Sequence, residues 1–71
     1  MKRLLLFFND RSEYQQAKSF FEAESEFTAS KHNDEFKCIT FEEEGNIDAL
    51  EMALTGELTE NGFQDFYFDA E

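Results

Sequence analysis

The sequence contains no proline, tryptophan or valine, and it has one cysteine, one histidine and three glycines among 71 residues. A single cysteine, Cys38, excludes a disulfide within the chain and any metal site built from several thiolates. We therefore expect a reducing compartment, and nothing in the sequence indicates a cofactor. Ten phenylalanines supply much of the core volume that the absent residues would otherwise provide.

Long apolar runs are absent too. The longest, Leu4 to Phe8, ends after five residues at Asn9 and Asp10, which is too short for the apolar region of a signal peptide or for a membrane-spanning helix. We therefore expect a complete, cytoplasmic protein. A chain of 71 residues makes one domain, residues 1–71, which buries only about 60% of its unfolded surface and depends on tight packing or on a second subunit.

Basic residues become scarce after residue 32. Residues 1–32 carry five basic and five acidic side chains, whereas residues 33–71 carry Lys37 against twelve Asp and Glu, so the second half accounts for the net charge of −11. Such a surface repels nucleic acid and anionic lipid and attracts basic proteins. We expect a basic protein as partner, and neither nucleic acid nor membrane.

The run Leu4 to Phe8 predicts a strand that is buried on both faces, because a half-exposed strand alternates with polar residues. Such a strand belongs in the interior of a sheet. Two capping pairs follow it, Asp10 with Glu13 and Ser12 with Gln15. A helix over about Ser12 to Glu24 is predicted by the apolar spacing of Tyr14, Ala17, Phe20 and Phe21.

Two further strands, Phe27 to Lys31 and Phe36 to Phe41, are predicted on either side of the turn residues Asn33 and Asp34. A two-residue turn would place Ile39 and Phe41 on the other face of the hairpin from Phe27. We favour a turn with an odd number of residues, which places four apolar residues on one face: Phe27, Ala29, Ile39 and Phe41. The other face then carries Thr28, Ser30, His32, Phe36, Cys38 and Thr40.

A second helix begins after the cap residue Asn46, and its buried side is marked by Ile47, Leu50, Leu54 and Leu58. Gly56 costs this helix about 1 kcal/mol and is a candidate for an early end, whereas Asn61 and Gly62 form the stronger stop signal. A final strand follows from Phe63 to Asp69. Its two faces carry Phe66 with Phe68, and Phe63 with Asp65 and Tyr67.

The order strand, helix, strand, strand, helix, strand predicts an α+β protein, a ferredoxin-like βαββαβ sandwich. Its antiparallel four-stranded sheet has the order 4-1-3-2, with two helices on one face. Either Leu5 and Phe7, or Leu4, Leu6 and Phe8, must then lie on the uncovered face. We assign to this open sheet face, as a dimer contact, Leu5, Phe7, Phe36, Phe63 and Tyr67.

The residues capable of chemistry do not form a complete set. His32 and Cys38 fall short of the ligands that a zinc site needs, and the acidic loop lacks the ligand pattern of an EF-hand. No glycine-rich turn adjoins Cys38 to support a nucleophile. We expect no catalytic residue and no metal, and hence no enzyme. The motifs of the ferredoxin-like domains that bind heavy metals, RNA or acyl phosphates are missing, so no family is assigned.

Two functions follow from these observations. In the first, an acidic ridge binds a basic protein, as a nucleic-acid-mimicking inhibitor or regulator, because acids at helical spacing lie about 5 to 6 Å apart. The ridge consists of Glu42, Glu43, Glu44, Asp48, Glu51, Glu57 and Glu60. In the alternative, a small regulatory homodimer binds a metabolite or a partner at its open sheet face, as ACT-like domains of this fold do.

Overall fold

The computed structural model describes residues 1–70. The elements are β1 (Lys2–Phe8), α1 (Arg11–Ala23), β2 (Lys31–Asn33), β3 (Cys38–Glu43), α2 (Ile47–Glu60) and β4 (Phe66–Ala70). The four strands form one antiparallel sheet in the order β2-β3-β1-β4. The predicted ferredoxin-like fold is confirmed, and β1 lies in the interior of the sheet. Within the described residues, neither helix has the length and apolar character needed to cross a bilayer.

The side chains of β1 alternate between two environments, because successive residues of a strand point to opposite faces. Leu4, Leu6 and Phe8 are buried, whereas Leu5 and Phe7 are only half-buried. The first three join one core with residues of α1, β3, α2 and the segment before β4: Tyr14, Ala17, Phe21, Ile39, Phe41, Leu54, Leu58 and Phe63. Of the two alternatives, Leu5 and Phe7 therefore lie on the face away from the helices.

α1 begins with half of the predicted capping pair. The carboxylate of Asp10 accepts a hydrogen bond from the backbone N–H of Glu13 at 2.9 Å. The side chain of Glu13 reaches elsewhere, since its Oε1 accepts from the backbone N–H of Gln64 at 3.1 Å and of Asp65 at 3.4 Å. Glu13 thus ties the first turn of α1 to the segment that leads into β4.

The hairpin differs from its prediction. Asn33 pairs with Cys38, so the turn 34–37 has four residues and the expectation of an odd turn was wrong. The Asn33 Oδ1 accepts from the backbone N–H of Glu35 at 3.0 Å and of Phe36 at 3.2 Å. Lys37, the last residue of the turn, has a left-handed φ of 55°. In this register His32 shares a face with Ile39.

The strands of the hairpin are also shifted along the chain. Residues 27–30 precede β2 and do not belong to it. At the start of this segment, the backbone N–H of Phe27 donates a hydrogen bond to Ser25 Oγ at 3.0 Å. Phe27 and Ala29 pack at the margin of the core without belonging to a strand. Phe36 lies in the turn and is 64% exposed, so its assignment to a strand on the open sheet face was wrong.

α2 starts and stops at the predicted signals. Asn46 caps it by accepting from the backbone N–H of Asp48 and Ala49 at 2.9 and 3.2 Å, and the helix continues through Gly56. Gly62, which follows the cap residue Asn61, has a φ of 87°. The chain turns here through a left-handed conformation, which glycine adopts more easily than other residues.

Phe63 lies in the core, which corrects its assignment to the open sheet face. The residue is 7% exposed, and its ring centroid lies 6.0 Å from that of Phe8 and 6.3 Å from that of Phe20. β4 begins three residues later, at Phe66. The physical reason is that the turn after α2 brings Phe63 back over the helix-covered face, with its N–H donating to the carbonyl of Leu58 at 3.0 Å.

Candidate interaction surfaces

The open sheet face carries side chains in aligned rows, because directly paired residues of antiparallel strands share a face. One row consists of Asn33, Cys38, Phe7 and Tyr67. The next row consists of Lys31, Thr40, Leu5 and Asp69. Arg3 on β1 and Glu42 on β3 pair beyond them, toward the other end of the sheet.

An aromatic pair marks the first of these rows. The rings of Phe7 and Tyr67 are stacked, with centroids 5.2 Å apart and planes 14° from parallel. Tyr67 is nevertheless 53% exposed. Together with Leu5 these residues form an apolar patch on the open sheet face, and Phe36 and Phe63 do not belong to it.

The charged residues of the open sheet face balance one another. Arg3 and Lys31 are basic, and Glu42 and Asp69 are acidic. Arg3 Nε lies 3.8 Å from Glu42 Oε2, with both side chains partly exposed. Among the described residues this face is therefore close to neutral, in a chain whose net charge is −11.

The acids of α2 lie on two flanks of the helix, not on one. An α-helix turns by about 100° per residue, so positions nine residues apart lie on opposite sides. Asp48 and Glu57 have this separation. Asp48 lies near Glu51 on one flank, and Glu57 lies near Glu60 on the other. The single ridge that the sequence suggested is thus divided along α2.

The three glutamates before α2 also have separate positions. Glu42 lies on the open sheet face opposite Arg3. The Oε1 of Glu43 accepts a hydrogen bond from the backbone N–H of Gly45 at 3.1 Å, so this carboxylate helps to shape the loop. Glu44 is exposed in that loop. Of the three, Glu44 alone remains available beside the acids of α2.

Between its two acidic flanks α2 exposes a narrow surface of small and apolar residues. Met52 is 76% exposed at its centre, and its exposed neighbours include Ala49, Ala53 and Gly56, with Thr55 and Thr59 beside them. We define the outer face of α2 as Ala49, Met52, Ala53 and Gly56 together with the flanking carboxylates of Asp48, Glu51, Glu57 and Glu60. Within residues 1–70 these four carboxylates make no hydrogen bond or ion pair, and residues 38–71 contain no basic side chain.

Asp34 is an acid with a structural role that the sequence did not reveal. Its Oδ1 accepts from the Tyr14 hydroxyl at 2.5 Å and from the Lys18 ammonium at 3.2 Å. Its carbonyl accepts from Arg11 Nη1 at 2.9 Å. The hydrogen bonds from Tyr14 and Lys18 lower the pKa of Asp34, while burial and the bond to Asp34 raise the pKa of Tyr14. Arg11, Tyr14 and Lys18 follow one another at three- and four-residue spacing, and this pattern in the sequence could have indicated that they share one side of α1.

A groove of about 430 Å³ separates α1 from residues 28–32. Phe21 and Ile39 provide apolar lining, and Ser30 and His32 add polar groups. Cys38 does not line the groove in the described part of the chain, because the register of the hairpin directs it to the opposite face from His32. Residues 1–70 also contain no group of three side chains able to hold a metal ion.

Comparison with known proteins adds no family to this description. No protein-family model, curated protein or solved structure matches the chain. Function is therefore inferred from the surfaces of the molecule.

Proposed function

We propose that the protein is a non-catalytic, cytoplasmic binding module that captures a basic protein on the outer face of α2. One observation carries this proposal: Met52 is exposed between two flanks of carboxylates that have no partner within the described residues. Protein interfaces commonly combine an apolar centre with a charged or polar rim. Methionine is well suited to the centre, because its flexible and polarizable side chain adapts to different partners.

The partner that fits this surface carries an apolar side chain surrounded by Lys and Arg. The two acidic flanks lie on either side of a helix whose diameter with side chains is about 10 to 12 Å, so basic residues on both edges of a groove, or along both edges of a partner helix, would meet them. Opposite charge of this kind accelerates association and is weakened by salt.

A partner that uses the same basic surface for nucleic acid would be blocked by this module. Acidic residues three or four positions apart on a helix have Cβ atoms about 5 to 6 Å from each other, a separation comparable to that of phosphates along a strand. We therefore propose an inhibitory or regulatory role, in which the protein and a nucleic acid compete for one basic protein.

The test compares two variants with the same change in charge. Glu57→Lys/Glu60→Lys reverses one flank of α2, and Glu24→Lys/Glu26→Lys reverses two exposed acids at and after the end of α1. Each variant, and the wild type, is used to capture proteins from a lysate of the source cell at about 50 mM and about 300 mM salt. Captured proteins are identified by mass spectrometry and purified for competition with DNA and RNA.

The wild type and the α1 variant should capture the same basic protein at low salt and lose most of it at high salt. The α2 variant should fail to capture it, and nucleic acid should compete with the wild type. Equal capture by all three proteins would show that the acids of α2 serve solubility and would overturn the proposal.

A second candidate is the small regulatory homodimer, which the half-exposed stacked pair of Phe7 and Tyr67 favours. A ligand bound at Leu5, Phe7 and Tyr67 would bury mainly apolar surface, so its binding should depend less on salt than capture by the acids of α2. A ligand that raises the melting temperature without responding to salt would support this second function over the first.

A further inference from the structure

On the open sheet face, each charged residue has a residue of opposite charge at the equivalent position across the line between β3 and β1. Lys31 on β2 and Asp69 on β4 belong to one row and lie at opposite edges of the sheet. Near the end of the sheet, Glu42 on β3 faces Arg3 on β1 across the same line. Each basic residue therefore has an acidic residue at the equivalent position on the other side.

We propose that two copies of this chain bind each other through the open sheet face. The two-fold axis would lie between the two sheets, parallel to the strands, over the line between β3 and β1. Rotation about this axis places Lys31 of one copy against Asp69 of the other, and the reverse, because an isologous contact is made twice. Leu5 lies over Thr40 and Phe7 over Cys38, which are already buried in one copy, so Leu5, Phe7 and Tyr67 supply the exposed apolar surface. No two like charges face each other.

A second copy is the occupant that the charges favour. A net charge of −11 makes two copies repel each other over most of their surfaces, whereas residues 1–70 place two basic and two acidic residues on the open sheet face. Within residues 1–70 Lys31 and Asp69 make no ion pair, since three strand spacings, about 14 Å, separate them. The dimer gives both side chains partners of opposite charge.

The apolar residues suit the same arrangement. Sheets that pack face to face lie about 10 Å apart, with their strands within about 30° of parallel. Leu5, Phe7 and Tyr67 provide the side chains that fill such a space from both copies. The helices lie on the other side of the sheet, so the dimer would leave α2 exposed in both copies. Dimerisation therefore does not depend on the proposed function of α2.

Charge exchange tests both the contact and its orientation. Sedimentation equilibrium from about 10 μM to about 1 mM, a range suited to a small interface, should show that the wild type dimerises. Lys31→Glu and Asp69→Lys should each weaken dimerisation at least tenfold, because each places like charges together twice. The double variant should recover the wild-type affinity. An equimolar mixture of the two single variants should form a heterodimer more tightly than either forms a homodimer.

Two controls carry the same changes in charge on the other side of the sheet. Lys2→Glu matches the first variant and Glu60→Lys the second, and neither should alter dimerisation by more than about twofold. Circular dichroism of every variant checks that it is folded. A wild type that stays monomeric over the whole range would overturn the proposal, and so would a mixture that forms no heterodimer. Loss of partner capture by the α2 variant alone leaves this result unchanged, so the two proposals fail separately.

Discussion

Tyr14 donates its hydroxyl hydrogen to Asp34 Oδ1 across 2.5 Å, and this bond joins the buried side of α1 to the turn between β2 and β3. Tyr14 is fully buried, so its hydroxyl needs a hydrogen-bond partner within the fold. Lys18 reaches the same carboxylate. The contact therefore holds a hairpin whose edge strand has only three residues against the helix layer.

Replacing Tyr14 by Phe should lower the melting temperature by about 5 °C, because one hydrogen bond to a charged group is lost in a small domain. Tyr67→Phe is the matched control, since its ring lies on the exposed side of the sheet and its hydroxyl makes no hydrogen bond within residues 1–70. Differential scanning calorimetry of both variants measures the difference. Equal melting temperatures for the two would contradict the role given to the Tyr14 hydroxyl.

Acid should remove the contribution of Asp34. Its pKa is lowered in the folded state, chiefly by the hydrogen bond from Tyr14 and then by that from Lys18. Its contribution is therefore complete above the ordinary carboxyl pKa of 3.8 and is lost as pH falls through the folded-state value. The difference in melting temperature between wild type and Asp34→Asn should shrink from neutral pH to about pH 2. Glu35→Gln, in the same turn, should show no such convergence.

The two glycines around the end of α2 should respond to alanine in opposite directions. At Gly56 an added methyl group meets no atom within 4 Å, so Gly56→Ala should stabilise the protein by about 0.5 to 1 kcal/mol. At Gly62, with a φ of 87°, the same change should cost about 1 kcal/mol. Urea unfolding of both variants gives the two free energies. A stabilising Gly62→Ala would contradict the turn described here.

Phe63 and Phe36 should differ sharply in their contribution to stability. Phe63→Ala opens a cavity among Phe8 and Phe20 and should cost about 3 to 4 kcal/mol. That is a large part of the stability of a domain of this size, so we expect partial unfolding at 37 °C. Phe36→Ala should change stability by less than about 0.5 kcal/mol. Similar losses at both positions in chemical denaturation would refute the assignment of Phe63 to the core.

The elements predicted well from sequence are those that local chemistry determines. Five consecutive apolar residues, Leu4 to Phe8, have few stable alternatives to an interior strand. Asp10 and Asn46 cap the helices through bonds to residues two or three positions ahead, which a sequence pattern shows directly. The fold therefore followed from β1, the two caps and the stop at Gly62.

The errors arose where distant residues decide the structure. The hairpin turn contains Asp34, which accepts hydrogen bonds from Tyr14 and Lys18 of α1, and no local pattern shows these contacts. The alternating pattern from Phe63 to Tyr67 is typical of a strand, but the turn at Gly62 returns Phe63 to the core. The division of the acids around α2 is a different case, because it follows from the nine-residue separation of Asp48 and Glu57 and helical geometry alone would have revealed it.

Chemical-shift mapping by NMR tests most directly whether the outer face of α2 is the binding surface. ¹⁵N-labelled protein is titrated with the purified basic partner at about 50 mM salt and again at about 300 mM. We predict that the largest shifts occur at the amides of Ala49, Met52 and Ala53 and that they diminish at the higher salt concentration. Shifts confined to the open sheet face or to the groove beside His32, with α2 unchanged, would contradict the account.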